Sequence, residues 1–421
     1  MGFADFYFKR QKDFEVKILE PPDDRLKYTI VIPCFYEFNI ANTLNSIWNC
    51  SRRKSAVEVI IVINEPETAE KEITEQNIKT FNEVQNWINT HPDPALRFFV
   101  FYEKDIPTKN AGAGYARKLG MDQALFRFNR LGQEYGVILS LDADAIVKSD
   151  YLTEIEKHFE NNPKTNVSTI YFEHPLEGNE FTPEIYHAIA IYELYLRYYK
   201  FAFQFIRFPY GYYTVGSCFV VSAKAYAKQG GMNSKQAGED FYFLHKVFPL
   251  GNSHEINSTC VYPSPRPSKR VPFGTGPMVE QILESGKKDL LTFDFQSFVE
   301  LKSFFQVIDQ LYKITNIELS ELLYQLPLPV VQFLSDNDVF SAIEEINSNC
   351  SSLQTFRKRF FGWFNAFKVL KYLNAATEKY YPKADLLPQV EKLAEKLKLP
   401  TPEQNNHSSW LEIFRSIERN Y

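Results

Sequence analysis

The 421-residue chain has no run of about 18 consecutive apolar residues, so no bilayer-spanning helix is predicted. It also lacks paired cysteines. The five present, Cys34, Cys50, Cys218, Cys260 and Cys350, are scattered and never spaced C-x-x-C. That pattern argues against a zinc site or a disulfide framework and fits a reducing compartment. Positive charge is not in excess. Lys and Arg total 47 against 52 Asp and Glu, so the basic footprint of a nucleic-acid binder is missing and no nucleic-acid partner is expected. The stretch from Met1 to Lys12 is aromatic and charged, without the apolar core of a signal peptide. A cytoplasmic location is expected, with a peripheral contact at the inner face of a membrane left open. The seven histidines are dispersed, and none is assigned as a ligand. What is plentiful is aromatic: 37 Phe and 25 Tyr.

Three segments are expected: an extension over 1–26, an α/β domain over 27–280 and a helical region over 281–421. The extension ends in the turn-forming Pro21-Pro22-Asp23-Asp24. Short apolar strands are predicted at Tyr28–Pro33, Val57–Ile63 and Arg97–Phe101. Helices are predicted at Asn39–Trp48, Thr74–Asn89 and Ala113–Asn129. Strands alternating with helices predict a doubly wound, mostly parallel sheet. A long aromatic helix over Pro183–Arg207 and a strand over Val215–Val221 follow. Beyond Pro277 helical periodicity dominates, at Phe298–Ile314, Glu318–Gln325, Asp338–Asn347 and Leu353–Lys379. Tyr192, Tyr195, Tyr199 and Phe203 have helical spacing, which predicts core packing ahead of a sugar-stacking wall. The cation–aromatic mixture of Phe356–Lys368 suits an interfacial helix or the core of a helical domain.

Two acidic motifs carry the chemistry. Gly136–Asp144 reads as a buried strand ending in Asp142 and Asp144, at the sheet edge where ligands of parallel sheets gather. Two oxygen ligands there suit Mg²⁺ or Mn²⁺, which in turn suits a diphosphate. About a hundred residues later Gly238-Glu239-Asp240 opens a helix and supplies carboxylates for base work. Arg117, at the start of its helix, is a phosphate contact or a solvated residue. Pro263–Gly276 combines prolines, the cations Arg266, Lys269 and Arg270, and a Gly-Thr-Gly end. It reads as a lid in which Arg266 and Arg270 clamp the diphosphate.

The order of these motifs resembles the family-2 glycosyltransferases of the GT-A fold, over roughly Tyr28 to Gly276. Ile30–Glu37 looks like that family's first strand and nucleotide loop, which implies donor contacts from Pro33 and Glu37. Asn110–Gly120 looks like its donor-side helix start, implying Asn110, Gly112 and Arg117. Ser140–Asp144 looks like its D-x-D motif, and Gly230–Asn233 with Gly238–Asp240 like its acceptor loop and base motif. The resemblance implies that Asp144 binds the metal directly and that Asp142 touches the ribose or the metal shell. It also implies that Asp240 is the general base and that Glu239 shapes the acceptor side. The second strand departs from the family, ending in Asn64-Glu65 where two aspartates are usual; Asn64 and Glu65 remain candidates for base and ribose. The histidine often found after the base motif is replaced by Pro263–Arg266. Pro263–Gly276 resembles a segment of a bacterial subgroup of these transferases.

The expected function is metal-dependent, inverting transfer from a nucleoside-diphosphate sugar to a carbohydrate or lipid-linked hydroxyl. A sugar-phosphate nucleotidyltransferase would carry a Gly-rich basic loop after its first strand, unlike Pro33–Glu37. An aspartyl phosphatase would have Thr or Val where Ile146 stands. The remaining alternative is a sugar- or polymer-binding scaffold derived from such a transferase.

Overall fold

Segments made almost wholly of Val, Ile and Phe can bury both faces, and here they pair side by side. After a short helix α1 (Asp5–Phe8), strands β1 (Leu26–Cys34), β2 (Ala56–Pro66), β3 (Leu96–Ile106) and β4 (Val137–Ser140) run parallel. Helices α2 (Ile40–Trp48), α3 (Lys71–Thr90) and α4 (Ala113–Leu131) connect them. Val59 to Ile63 are fully buried, as expected of a strand covered on both sides. The computed structural model describes residues 2–52, 54–234, 238–269, 274–286 and 289–420.

The sheet continues through β5 (Ile146–Val147), β6 (Val167–Phe172), β7 (Phe219–Ser222) and β8 (Ser253–Tyr262). Between them lie α5 (Tyr151–Asn161), α6 (Pro183–Phe205), α7 (Ala223–Lys228) and α8 (Glu239–Val247). The strand order is β3-β2-β1-β4-β7-β6-β8-β5. β7 is antiparallel to β4 and to β6, β5 is antiparallel to β8, and β6 and β8 are parallel. The expected architecture is present: a mostly parallel α/β sheet with flanking helices, followed in the chain by a helical region.

The chain forms two compact units. The first comprises residues 1–189, 214–281 and 415–421, and the second 190–213 and 282–414. Two excursions that a linear reading does not give, 190–213 and 415–421, thus cross the expected break near residue 280. In the first unit α4 sits so close to β1 that a Cβ on Gly120 would lie 2.4 Å from Val31 Cγ1, so only glycine fits. The N-terminal extension is anchored on the same helix. Tyr7 and Tyr226 hydroxyls donate to Asp122 Oδ1 at 2.6 and 2.7 Å, and Lys118 Nζ lies 2.6 Å from Oδ2.

In the second unit the aromatic surplus becomes core. Phe298, Phe304, Phe356, Phe360 and Phe364 are fully buried, with ring centroids 5.7 Å apart for both Phe304–Phe360 and Phe304–Phe364. Tyr199 packs on Phe203 at 4.6 Å and on Phe298 at 6.4 Å; in the aromatic series of α6, Tyr192 and Phe203 are buried and Tyr195 and Tyr199 half-buried. The aromatic side of Phe356–Lys368 is likewise turned inward. The helix expected over Leu353–Lys379 is two helices, Leu353–Trp363 and Ala366–Lys379. Asn365 breaks the run, its side chain accepting from the Lys368 N–H at 3.1 Å.

Burial depresses His158, with His254 adjoining it, and His245 in α8 to about 4 each. The unfolded chain therefore takes up these protons first. Stability is complete above the ordinary value of about 6.5 and is lost as pH falls toward about 4. Melting temperature should drop between pH 7 and pH 5, with a shallower drop in His158→Gln. An unchanged pH slope in that variant would remove His158 from the account.

Candidate active site

The reversed strand explains why residues far apart in sequence meet. Ser140 at the end of β4 pairs with Phe219 at the start of β7. Two residues beyond one end lies Asp142, and two before the other lies Ser217, whose hydroxyl donates to Asp142 Oδ2 at 2.6 Å. In the extended stretch after β4, Leu141, Ala143 and Ala145 are buried while Asp142 and Asp144 are half-buried. The spacing of two therefore turns both carboxylates the same way. Thr43 Oγ1 fixes this stretch by donating to the Ala143 carbonyl at 2.8 Å.

Arg117, in the second turn of α4, joins the two acidic motifs. Its side chain is 3% exposed, Nη2 lies 2.6 Å from Asp142 Oδ1, and Nη1 hydrogen-bonds Glu239 Oε1. Its Nε is buried without a hydrogen-bond partner among the described residues. It is not a solvated residue: it forms an internal strut between the two acidic motifs. Gly216 is its close neighbour. A Cβ there would sit 2.8 Å from Arg117 Nη2 and 3.1 Å from Asp240 Oδ2, so Gly216 marks the point where strut and candidate base converge.

Glu239 and Asp240 occupy the first turn of α8, after Gly238 in the left-handed region at φ 70°. Glu239 is buried against Arg117 and Asp240 is half-buried. Asp240 Oδ1 accepts from the Phe241 N–H at 2.7 Å. Burial holds the Asp240 carboxyl above its ordinary value, with the Asp142 charge adding to the rise; Arg117 and the Phe241 N–H oppose it. A carboxylate raised in this way is a stronger base.

On the other side Arg266 grips Glu37 through Nη1 to Oε1 at 3.0 Å and Nη2 to Oε2 at 2.6 Å. Nη2 also reaches Asp144 Oδ2 at 2.8 Å. Glu37, Arg117, Asp142, Asp144, Glu239, Asp240 and Arg266 are thereby joined in one region. Asn64 and Glu65 hold it from behind. Asn64 donates to the Cys34 carbonyl at 3.2 Å and accepts from the Gly112 N–H at 3.0 Å. Glu65 receives Thr74 and Asn77 at 3.0 Å each and also the Tyr102 hydroxyl. Pro33 pairs in register with Val62 inside the sheet, and the Asn110 N–H closes a turn to the Pro107 carbonyl at 2.7 Å. Arg270, with 271–273, lies outside the described residues. Ser217 and Gly216 escaped sequence reading, because only strand reversal brings them to the carboxylates.

Among the described residues, no group of three or more His, Cys, Asp or Glu side chains is placed to hold a metal. Asp142 and Asp144 nevertheless fit one. They form an oxygen-only pair, each carboxylate has several lone pairs, and Asp144 already holds a cationic group in Arg266. Diphosphate oxygens and water would complete the coordination.

No protein-family model and no curated protein matches the chain. Among solved structures it is similar to S. aureus TarS 1-349 in complex with UDP-GlcNAc, at 14% identity over 83% of this chain and 90% of that one, with a TM-score of 0.39. The complex of TarS 1-349 with UDP gives 13% identity over 94% and 91%, with the same TM-score of 0.39. A further S. aureus TarS structure gives 13% identity over 76% of this chain and 55% of that one, at 0.37. At such identities and TM-scores these likenesses carry no weight for activity.

Removing the strut should leave Glu239 as an unpaired buried charge. Arg117→Met is expected to cost on the order of 3–5 kcal/mol in urea unfolding, and Glu239→Gln clearly less. Arg117→Lys, which cannot fork between two carboxylates, should fall between wild type and Arg117→Met. Equal stability of Arg117→Met and wild type would mean that the strut carries no load.

Proposed function

We propose that the protein is a metal-dependent, inverting glycosyltransferase that moves a sugar from a nucleoside-diphosphate sugar to a carbohydrate or lipid-linked hydroxyl. One observation carries the reading: Arg117 ties Asp142, next to the candidate metal carboxylate, directly to Glu239, beside the candidate base. Inversion requires a base opposite the leaving group, which two separate acidic motifs converging on one place can provide. Asp144 would hold the divalent ion, Mg²⁺ or Mn²⁺, with Asp142 beside it. That ion, when bound, supplies Lewis-acid neutralisation of the departing diphosphate.

Asp240 takes the acceptor proton as the acceptor oxygen bonds to the sugar carbon and the carbon–diphosphate bond breaks. Asp142 and Asp144 are poorly placed for this step, because their oxygens already face the guanidinium groups of Arg117 and Arg266. Glu239 is spent on Arg117 in the same way. Arg266 is a clamp for diphosphate oxygens and Glu37 its anchor. With the Asp240 carboxyl raised from its ordinary value, turnover should fall on acidification at a higher pH than an unperturbed aspartate would set. No helix of the described residues is long and apolar enough to cross a membrane. A cytoplasmic site of action, with peripheral membrane contact, belongs to this proposal.

The test starts from nucleoside diphosphates screened with Mn²⁺ by thermal shift, since a ligand of the native state raises the melting temperature. Asp144→Ala should abolish the Mn²⁺-dependent shift. Asp240→Asn should keep the shift yet slow transfer by roughly 10² or more. A scaffold would bind without metal-dependent hydrolysis of any nucleotide sugar. Near-normal turnover in Asp240→Asn, or a larger loss in Glu239→Gln, would move the base elsewhere.

A further inference from the structure

Arg266 stands four residues after β8, and its guanidinium serves two carboxylates unequally. Glu37 is 3% exposed at its side chain and is held by two parallel bonds of 3.0 and 2.6 Å. Such a fork fixes a guanidinium in orientation as well as position. Asp144 is 30% exposed and accepts from Nη2 at 2.8 Å, from a guanidinium itself 25% exposed. Water and ions therefore reach the Asp144 contact, whereas the Arg117–Glu239 contact, with side chains 3% and 4% exposed, is sealed. One half of the Arg266 arrangement is an anchor and the other half is open to exchange.

The exposed half falls on the carboxylate to which the proposed function gives the metal. A guanidinium and a divalent ion at hydrogen-bonding range of one carboxylate repel each other, because like charges a few ångströms apart are only partly screened near a protein surface. We infer that Arg266 is an exchangeable counter-ion: it holds Asp144 until a divalent ion takes that carboxylate. It stays forked on Glu37 throughout, and its released N–H is then offered to the diphosphate. This inference rests on the metal reading above. It also goes beyond a plain phosphate clamp, because it gives one residue opposite effects on two ligands. Arg266 weakens binding of the metal alone and strengthens binding of the metal–diphosphate complex, so metal and donor load together.

The test measures binding and needs no turnover. Mn²⁺ affinity is read by electron paramagnetic resonance in wild type, Arg266→Gln and Asp144→Asn. A double variant, Glu37→Gln with Arg266→Gln, keeps the net charge and removes the buried carboxylate that the single variant leaves without its fork. Binding of the magnesium complex of inorganic pyrophosphate is read by calorimetry on the same proteins, with melting curves confirming that each is folded. Both Arg266 variants should bind Mn²⁺ roughly tenfold more tightly than wild type, as expected if the competent state is about a tenth populated. Both should bind magnesium pyrophosphate more weakly, and Asp144→Asn should lose Mn²⁺. If Asp144→Asn loses Mn²⁺ while the charge-balanced double variant binds it no better than wild type, the exchange is wrong and the metal site stands. Tighter Mn²⁺ binding with unchanged pyrophosphate affinity would also overturn the exchange. Absence of Mn²⁺ binding in every protein would remove the metal reading and this inference with it.

Discussion

A guanidinium at 3% exposure cannot remain unpaired, and the pairing of Arg117 is the constraint on which the site depends. Its two ends reach Asp142 and Glu239, which are 97 residues apart in the chain. Each contact is short and charge-assisted, so moving either acidic motif would strand a buried charge. Close packing prevents the strut from swinging. Gly120, one helical turn on, lets α4 lie against Val31, and Gly216 leaves no room beside the guanidinium.

The same helix anchors much of the first unit. Arg117 serves the site, and Asp122 receives Tyr7 of the extension and Tyr226 of α7. Arg127 forks onto Glu58 in β2 through Nε and through Nη2 at 2.6 Å, and it donates to the Glu20 carbonyl at 2.8 Å. Successive buried charges five residues apart point in different directions around a helix, so α4 is gripped on several sides. Its sequence is correspondingly poor in simple apolar periodicity. The extension is thereby a brace on the helix that carries the site's cation.

Polarity at the site is graded, and the grading matches the chemistry proposed for it. Glu239 and Arg117 are sealed, Asp240 is half-buried with a raised carboxyl, and Asp144 and Arg266 meet solvent. Sealed pairs resist rearrangement, whereas exposed ones exchange with water and ions. Asn64 and Glu65, which stand where the resembled family has paired aspartates, support the Gly112 turn and α3 through their own hydrogen bonds. Nucleotide recognition, on the proposed reading, then falls more heavily on backbone and neighbouring groups.

The sequence by itself determined the elements whose signal is local. Unbroken Val and Ile runs can only be buried strands, so β1, β2 and β4 were legible along with the acidic residues after β4. The glycine and paired acids opening α8 were equally plain, as was the helical character of the last third. β6 and β8 were missed: β8 passes from a half-buried run to a buried one without regular alternation, and its reading depends on the neighbours that pair with it. Tertiary structure alone decided that β7 runs backwards, and with that reversal Ser217 and Gly216 arrive at Asp142 and Arg117. It alone decided that Arg117 faces inward and that Arg266 finds Glu37, 229 residues away. Local pattern fixes what a segment is, because hydrogen bonding and burial act within a few residues. Which charges meet depends on strand order and direction, and these come only from closing the whole sheet.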